Sequence, residues 1–357
     1  MFSLPQLVGV PYDASSSFMR GAAAAPPLIR EAMRSLAGNS FTESGADLTN
    51  LADAGDLTLR EDAGAARAAI ESGVAAVLEN GLRPISLGGD HSITYPIMRA
   101  IAKRHSGVTI LQIDAHADLY DQFEGDRYSH ACPFARIMEE QLCQRLVQVG
   151  IRTLTTHLRE QIARFAVDTI EMRHFAGGAR PGIDGPVYLS IDLDGLDPAF
   201  APGVAHREPG GLSVRDVLTM IYSLKGPIIG ADITEFNPSQ DLGGVTAGVA
   251  AKSSTHPCRP QTQGVVPSSD TLRWPNTPAK LCAPCTRRPS ITRPPPMPVP
   301  TTKCARLRPR ARASSRKVPH AAARPSLTTR TDQARSGNAA SNSAFQLTSR
   351  YPSKNPA

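Results

Sequence analysis

The sequence is short of cysteine, of aromatic side chains and of long apolar runs. Six cysteines are spread over 357 residues, and only Cys132 and Cys143 fall in the first 252. Two isolated thiols in that length make no disulfide framework, and such usage fits a reducing compartment. No stretch reaches the ~18 consecutive apolar residues that a membrane-spanning helix needs. The opening "MFSLPQLVGVPYD" has neither a basic n-region nor a long apolar segment, so no secretory signal is expected. A cytoplasmic protein without membrane contact is the expectation. Acids are scarce in one part only. From residue 253 onwards there are two, Asp270 and Asp332, against 18 Lys and Arg, which gives +16. The whole chain has 39 bases and 32 acids, leaving 21 and 30 for the first 252 residues, or −9. The overall charge of +7 therefore describes neither part.

Apolar periodicity is missing from the same basic part. "SSTHPCRPQTQGVVPSSD" opens a stretch rich in Pro, Arg, Ser and Thr, with a lone Trp274. Such a composition buries too little apolar surface to offset chain entropy, so 253–357 reads as a disordered tail. A segment of +16 would bind phosphate backbones without sequence preference. Stacking aromatics are scarce in it, however, and a nucleic-acid partner is not expected. Cys282 and Cys285 form a C-x-x-C, but Cys258 and Cys304 stand outside zinc-ribbon spacing, so no zinc site is expected there.

The first 252 residues, in contrast, alternate strand-like and helix-like stretches. Short apolar runs appear at "QLVGV", "PISLG", "VTILQID", "LVQVGI", "VYLSIDLD" and "PIIGADI". Between them lie helical patterns such as "AARAAIESGVAAVLENG", apolar at i, i+3, i+4 and i+7 with Gly81 as the stop. Continuous apolar strands alternating with helices imply an α/β fold, a doubly wound parallel sheet in three layers with helices on both faces. Ligands in such folds bind beyond the carboxyl ends of the strands.

The polar clusters fall at those ends. "DAHAD" follows "VTILQI" and places Asp114, His116 and Asp118 at every second residue. In extended chain these three side chains share one side, an unfavourable crowding unless something positive lies between them. "SIDLDGLDP" repeats the pattern with Asp192 and Asp194. A lone Asp-x-Asp is ordinarily a turn or helix cap, but two such clusters in one chain change that reading. "LGGDHS" presents His91 after the tight turn that Gly88 and Gly89 permit. Four carboxylates and two imidazoles facing one crevice call for compensation, and two divalent cations supply that charge. Oxygen-rich ligation with some imidazole suits Mn²⁺ or a similar ion, and the absence of cysteine argues against structural zinc.

The segments "GGDHS", "DAHAD" and "SIDLDGLDPAFAPG" resemble the three signature motifs of the ureohydrolases, the arginase and agmatinase family. The resemblance extends through "GVPYDASSSFMRGAAAAPPLIREAM", "YSHACPFARIMEE", "LVQVGIR", "REPGGLS" and "GADITEFNPSQD", and so covers nearly all of residues 5 to 252. Several of these segments look most like the plant-type arginases and their bacterial relatives, which group with agmatinases. The resemblance implies an arginase-like fold with two Mn²⁺ ions per subunit. His91 and Asp118 would bind one ion, His116 and Asp194 the other, and Asp114 and Asp192 would bridge them. It further implies that Glu235 pairs with the substrate's guanidinium and that His130 carries protons, a role that suits the imidazole pKa. Two cations sharing a water lower its pKa towards neutrality. The expected reaction cleaves a guanidino group to urea and an amine, in an assembly of three or six subunits.

Substrate choice turns on the loop "LYDQFEGDRYS". Asp121, Glu124 and Asp126 suit an ammonium, and the loop lacks the Ser-Gly-Asn stretch by which many arginases hold the amino-acid end. Agmatine, giving putrescine and urea, is the expectation, with arginine or a guanidinobutyrate-like compound as the alternatives. An amide deacetylase on a similar fold would use one zinc and a different His pair. After "GVTAGVAAK" the resemblance stops, where relatives continue into an amphipathic final helix. A shifted reading frame in a GC-rich gene would produce such a break at Ser253, and a genuine extension is the other reading.

Overall fold

The structure, a computed structural model, describes residues 3–258. Eight strands form one sheet: β1 (Pro5–Gly9), β2 (Ala52–Asp56), β3 (Arg83–Leu87), β4 (Thr109–Ile113), β5 (Arg145–Ile151), β6 (Asp168–Glu171), β7 (Val187–Asp192) and β8 (Ile228–Thr234). Their spatial order is β2-β1-β3-β8-β7-β4-β5-β6, and every pairing is parallel. Parallel neighbours require crossovers, and helices supply them, so both faces of the sheet are covered. Strand alternation makes this visible. Ile110 and Tyr188 join an apolar cluster with Ile70, Val74, Ile97 and Phe134 from helices on one face. Leu111 and Leu189, one residue further on, join Ile29, Val217, Leu218 and Ala250 from helices on the other. The three-layer α/β architecture inferred from the sequence is the one observed.

Each of the six apolar runs is a strand, and the central ones are buried throughout. The helix expected from "AARAAIESGVAAVLENG" spans Ala63–Glu79, capped by the Asp62 side chain on the Ala65 amide at 2.7 Å. Such a cap satisfies one of the amide groups a helix start leaves free. Gly81, at φ +71°, ends it as foreseen.

Two strands carried no apolar signal. β2 reads "ADAGD", is fully exposed, and lies at one edge of the sheet. It is tied down by charge instead. The buried Arg30 donates to both Asp53 oxygens at 2.7 and 3.0 Å, and also bonds Asp56. β6, "DTIE", is the opposite edge, with Asp168 bonded by Arg145.

The boundary drawn at residue 252 needs correction. A helix spans Val245–Thr255 and a 3-10 turn follows at His256–Cys258, so order continues through six residues read as tail. Small polar side chains are accommodated in it by bonding back to its own carbonyls: Ser254 Oγ to that of Ala250 at 2.7 Å, and Thr255 Oγ1 to that of Lys252 at 3.0 Å. Ser253 Oγ and His256 Nε2, however, are buried without a hydrogen-bond partner. The remaining tail, with its expected disorder and Cys282 and Cys285, lies outside the described residues. Among the described residues no helix is long and apolar enough to cross a membrane.

Candidate active site

The four strands at the middle of the sheet, β3, β8, β7 and β4, are direct neighbours, and each ends in a polar side chain at the same edge. β3 runs into Gly88 and Gly89, both at φ +83°. A Cβ on Gly89 would lie 2.8 Å from the carbonyls of Val10 and Tyr12, so only glycine permits this approach. His91 follows, opening a 3-10 turn whose first residue is fixed by Asp90 capping the Ser92 amide. β4 delivers Asp114, and β7 ends in Asp192, which accepts the Asp194 amide at 2.8 Å. β8 delivers Glu235. Asp118 and Glu235 hold left-handed backbones, φ +50° and +62°. Non-glycine residues adopt that conformation at a cost of about 1–3 kcal/mol, sustained where surrounding structure enforces it.

These ends converge. His91 Nδ1 lies 3.0, 2.9 and 3.2 Å from carboxylate oxygens of Asp114, Asp118 and Asp192. His116 Nδ1 lies 3.1 Å from Asp194 and 3.6 Å from Asp114. Two groups with cation-holding geometry result: His91, Asp114, Asp118 and Asp192 in one, and Asp114, His116 and Asp194 in the other. Asp114 belongs to both, as a bridging carboxylate must, whereas Asp192 falls with the first group. All six are buried except His116, which is partly exposed.

Whether the residues fit a cation is decided at His91. Its Nε2 bonds Ser190 Oγ at 2.9 Å, and Ser190 in turn donates its hydroxyl to Asp232 at 2.7 Å. Ser190 is thereby an acceptor towards the ring, so Nε2 carries the hydrogen and Nδ1 bears a lone pair. That lone pair faces three carboxylates and has no hydrogen-bond partner. Without a cation the ring sits among them only by taking up a proton at Nδ1; with one, Nδ1 is a ligand backed by an orienting hydrogen bond. Protonation points the same way. Burial alone would depress the His91 pKa, but contact with Asp114, Asp118 and Asp192 lifts it well above the usual imidazole value. Against its burial, His116 is held up at about 12, chiefly by Asp194. Burial and the neighbouring Asp114 raise Asp118 to about 6. Burial, Asp194 and Asp114 push Asp192 well above the carboxylate range. The cluster holds more negative charge than its two imidazoles balance.

Beside the cluster, Glu235 Oε1 accepts the His91 amide at 2.9 Å and meets His130 Nδ1 at 2.9 Å. Burial opposes charge on both, yet each stabilises the other. His130 rises to about 9 through the Glu235 charge, and Glu235 is lowered through His130. A carboxylate that can face a cationic substrate thus stands next to an imidazole that holds a proton.

The sequence matches the Arginase family over residues 5–256. The chain belongs to the arginase family. It is 49% identical to "Arginase 1, mitochondrial" of Arabidopsis thaliana over 267 residues, 69% of this chain and 78% of that protein. A guanidinobutyrase of Pseudomonas aeruginosa is 34% identical over 267 residues, 68% of this chain and 82% of that one. Among solved structures, the arginase of Medicago truncatula superposes with a TM-score of 0.69 at 44% identity, covering 72% of this chain and 86% of that one. The protein is therefore a hydrolase of the type that acts on small guanidino compounds.

His91, Asp114, His116, Asp118, Asp192 and Asp194 come together as the sequence reading expected, with His130 and Glu235 beside them. Others went unnoticed. Asp232, buried in β8, accepts hydrogen bonds from Thr94 at 3.0 Å, Tyr188 at 2.6 Å and Ser190, and so orients His91. Gln112 in β4 donates to Asp114 at 2.7 Å and is held by Gln148 at 2.8 Å. Each is the one carboxyl or amide side chain within an apolar strand run, and that was the available signal. His206 sits among His116, His130 and Phe18, with ring centroids 5.6, 5.4 and 5.6 Å away. The loop bearing it is clamped by Arg152, which donates to the carbonyls of Asp194 at 2.7 Å and Glu208 at 2.6 Å. Two of the three loop acids expected to meet an ammonium are otherwise engaged, and Glu124 is exposed. Asp121 accepts from Gln161 at 2.9 Å and Arg164 at 3.1 Å, and Asp126 caps the Tyr128 amide at 2.8 Å.

Proposed function

We propose that the protein hydrolyses arginine to ornithine and urea at a site holding two Mn²⁺ ions. The observation that carries the reading is the pair of carboxylate and imidazole clusters sharing Asp114, with Glu235 and His130 adjoining. His91, Asp118, Asp114 and Asp192 would hold one ion, and Asp114, His116 and Asp194 the other. When bound, the ions lower the pKa of water and so supply a nucleophile near neutral pH. The protein's own groups do the rest. Glu235 takes up the planar guanidinium, matching its charge and fixing its plane. His130 holds a proton at Nδ1 beside that carboxylate and gives it to the amine nitrogen as the carbon–nitrogen bond breaks. Assembly into trimers or hexamers belongs to the same proposal.

Arginine is favoured over agmatine and guanidinobutyrate by two considerations. Identity is higher to the plant arginase than to the guanidinobutyrase, 49% against 34%. Two of the three acids that would have suited the ammonium of agmatine, Asp121 and Asp126, are already bonded within their own loop or to its neighbours, leaving only Glu124. Urea release from the three compounds, each at several concentrations after Mn²⁺ loading, tests this. The expected result is the highest kcat/KM on arginine. A higher value on agmatine or guanidinobutyrate would overturn the substrate assignment and leave the reaction type standing.

A further inference from the structure

The run Ser15-Ser16-Ser17 stands in a loop to which the family resemblance gave no role, and that loop reaches across to His130. Four residues, Asp13, Asn237, Asp90 and His130, hold it in place. Asp13 closes its base, accepting the Gly21 amide at 2.7 Å and the Arg20 guanidinium at 2.8 Å. Asn237, two residues beyond Glu235, donates to the Met19 carbonyl at 2.7 Å. Asp90, buried beside His91, accepts the Ser15 amide at 3.0 Å and the Ser16 hydroxyl at 3.2 Å. The Ser15 carbonyl accepts the His130 amide at 3.1 Å. The loop is thus pinned to the ends of β3 and β8 and to the backbone of His130 itself. At its tip the exposed Ser17 places Oγ 2.9 Å from His130 Nε2.

His130 is consequently held at both ring nitrogens, by Glu235 at Nδ1 and by Ser17 at Nε2. A hydroxyl suits both charge states of the ring. With neutral imidazole protonated at Nδ1, the Ser17 O–H donates to Nε2; with imidazolium, Nε2–H donates to Ser17 Oγ. Either way the Nδ1 proton stays directed at Glu235, the position from which a departing amine is reached. A side chain that fixes tautomer and ring plane of a proton-carrying histidine does for it what an orienting partner does in any such pair. We propose that Ser17 is a positioning residue, holding the His130 ring so that its Nδ1 proton faces Glu235 and the reacting nitrogen. The inference rests on the reading of His130 as the proton carrier.

The test compares Ser17→Ala, Ser17→Thr, His130→Asn and the Ser17→Ala/His130→Asn double variant in the full chain. Urea release on arginine is the first readout, and ¹⁵N shifts of the His130 ring in the metal-free protein are the second. General acid–base groups contribute roughly 10²–10⁴-fold, so loss of the partner that orients one should lower kcat about tenfold, with KM within about twofold of wild type. Ser17→Thr, which keeps the hydroxyl, should restore most of the rate. In the metal-free protein, Ser17→Ala should shift the Nε2 resonance of His130. The double variant should be no slower than His130→Asn alone. Unchanged kcat in Ser17→Ala, with His130→Asn impaired, would overturn the positioning role and leave the proton-carrier reading intact. Full activity in His130→Asn would overturn that reading and the inference with it. Equal losses from Ser17→Ala in both backgrounds would show that Ser17 acts elsewhere than through His130.

Discussion

At the level of single residues the site is governed by an imbalance of charge that the protein alone does not resolve. His91 directs Nδ1 at three carboxylates because Ser190 and Asp232 fix its other nitrogen. Side chains behind a metal ligand typically tune affinity by about 10–100-fold when replaced. Asp232→Asn should therefore weaken Mn²⁺ binding by about that factor while preserving secondary structure, measured by metal titration and circular dichroism. Unaltered affinity would mean that the Asp232–Ser190–His91 chain does not set the ring. The ligand candidates were legible because carboxylates and imidazoles at strand ends have few other reasons to recur in pairs. Asp232, Ser190 and Gln112 were not, since one polar side chain in an apolar strand gives no hint of which face it serves. Asp121 and Asp126 show the opposite failure. Their charge was plain, but whether it was free depended on Gln161, Arg164 and the Tyr128 amide, contacts that no local pattern encodes.

At the level of elements, burial decided what could be read. The six strands with apolar runs were evident, four of them adjacent at the centre of the sheet, where both faces are covered by helices. The edges β2 and β6 were invisible because edge strands need no apolar run; β2 is held by Arg30 through Asp53 and Asp56. The helix Val245–Thr255 outlasted the change of composition at Ser253, since hydrogen bonds to earlier carbonyls tolerate small polar side chains. It does so at a cost. Ser253 Oγ and His256 Nε2 are buried and unpartnered. A buried unsatisfied group costs about 1–3 kcal/mol. Ser253→Ala and His256→Leu should each raise stability by about 1 kcal/mol, or roughly 2–4 °C in Tm for a domain of this size. A lower Tm for both would show that these groups are satisfied in solution.

The molecule as a whole divides into an acidic catalytic part and a basic remainder, +16 from residue 253 on. All side chains that build the site, from Ser15 to Glu235, lie within the acidic part. A chain ending at Cys258 should accordingly retain the kcat of the full-length protein on its guanidino substrate. A large loss on truncation, with the shorter chain still folded, would place part of the catalytic apparatus beyond residue 258. The reaction type was legible at this scale because three motifs in order mark one family, whereas the substrate depends on how a surface loop spends its charges.

That the chain is a guanidino hydrolase working with two ions is checked most sharply by titrating the metal-stripped protein with Mn²⁺ while following bound metal and urea release from arginine together. Two ions per chain are expected, with urea appearing as they bind. Full activity with one ion or none, or two bound ions without urea from any guanidino substrate, would refute it.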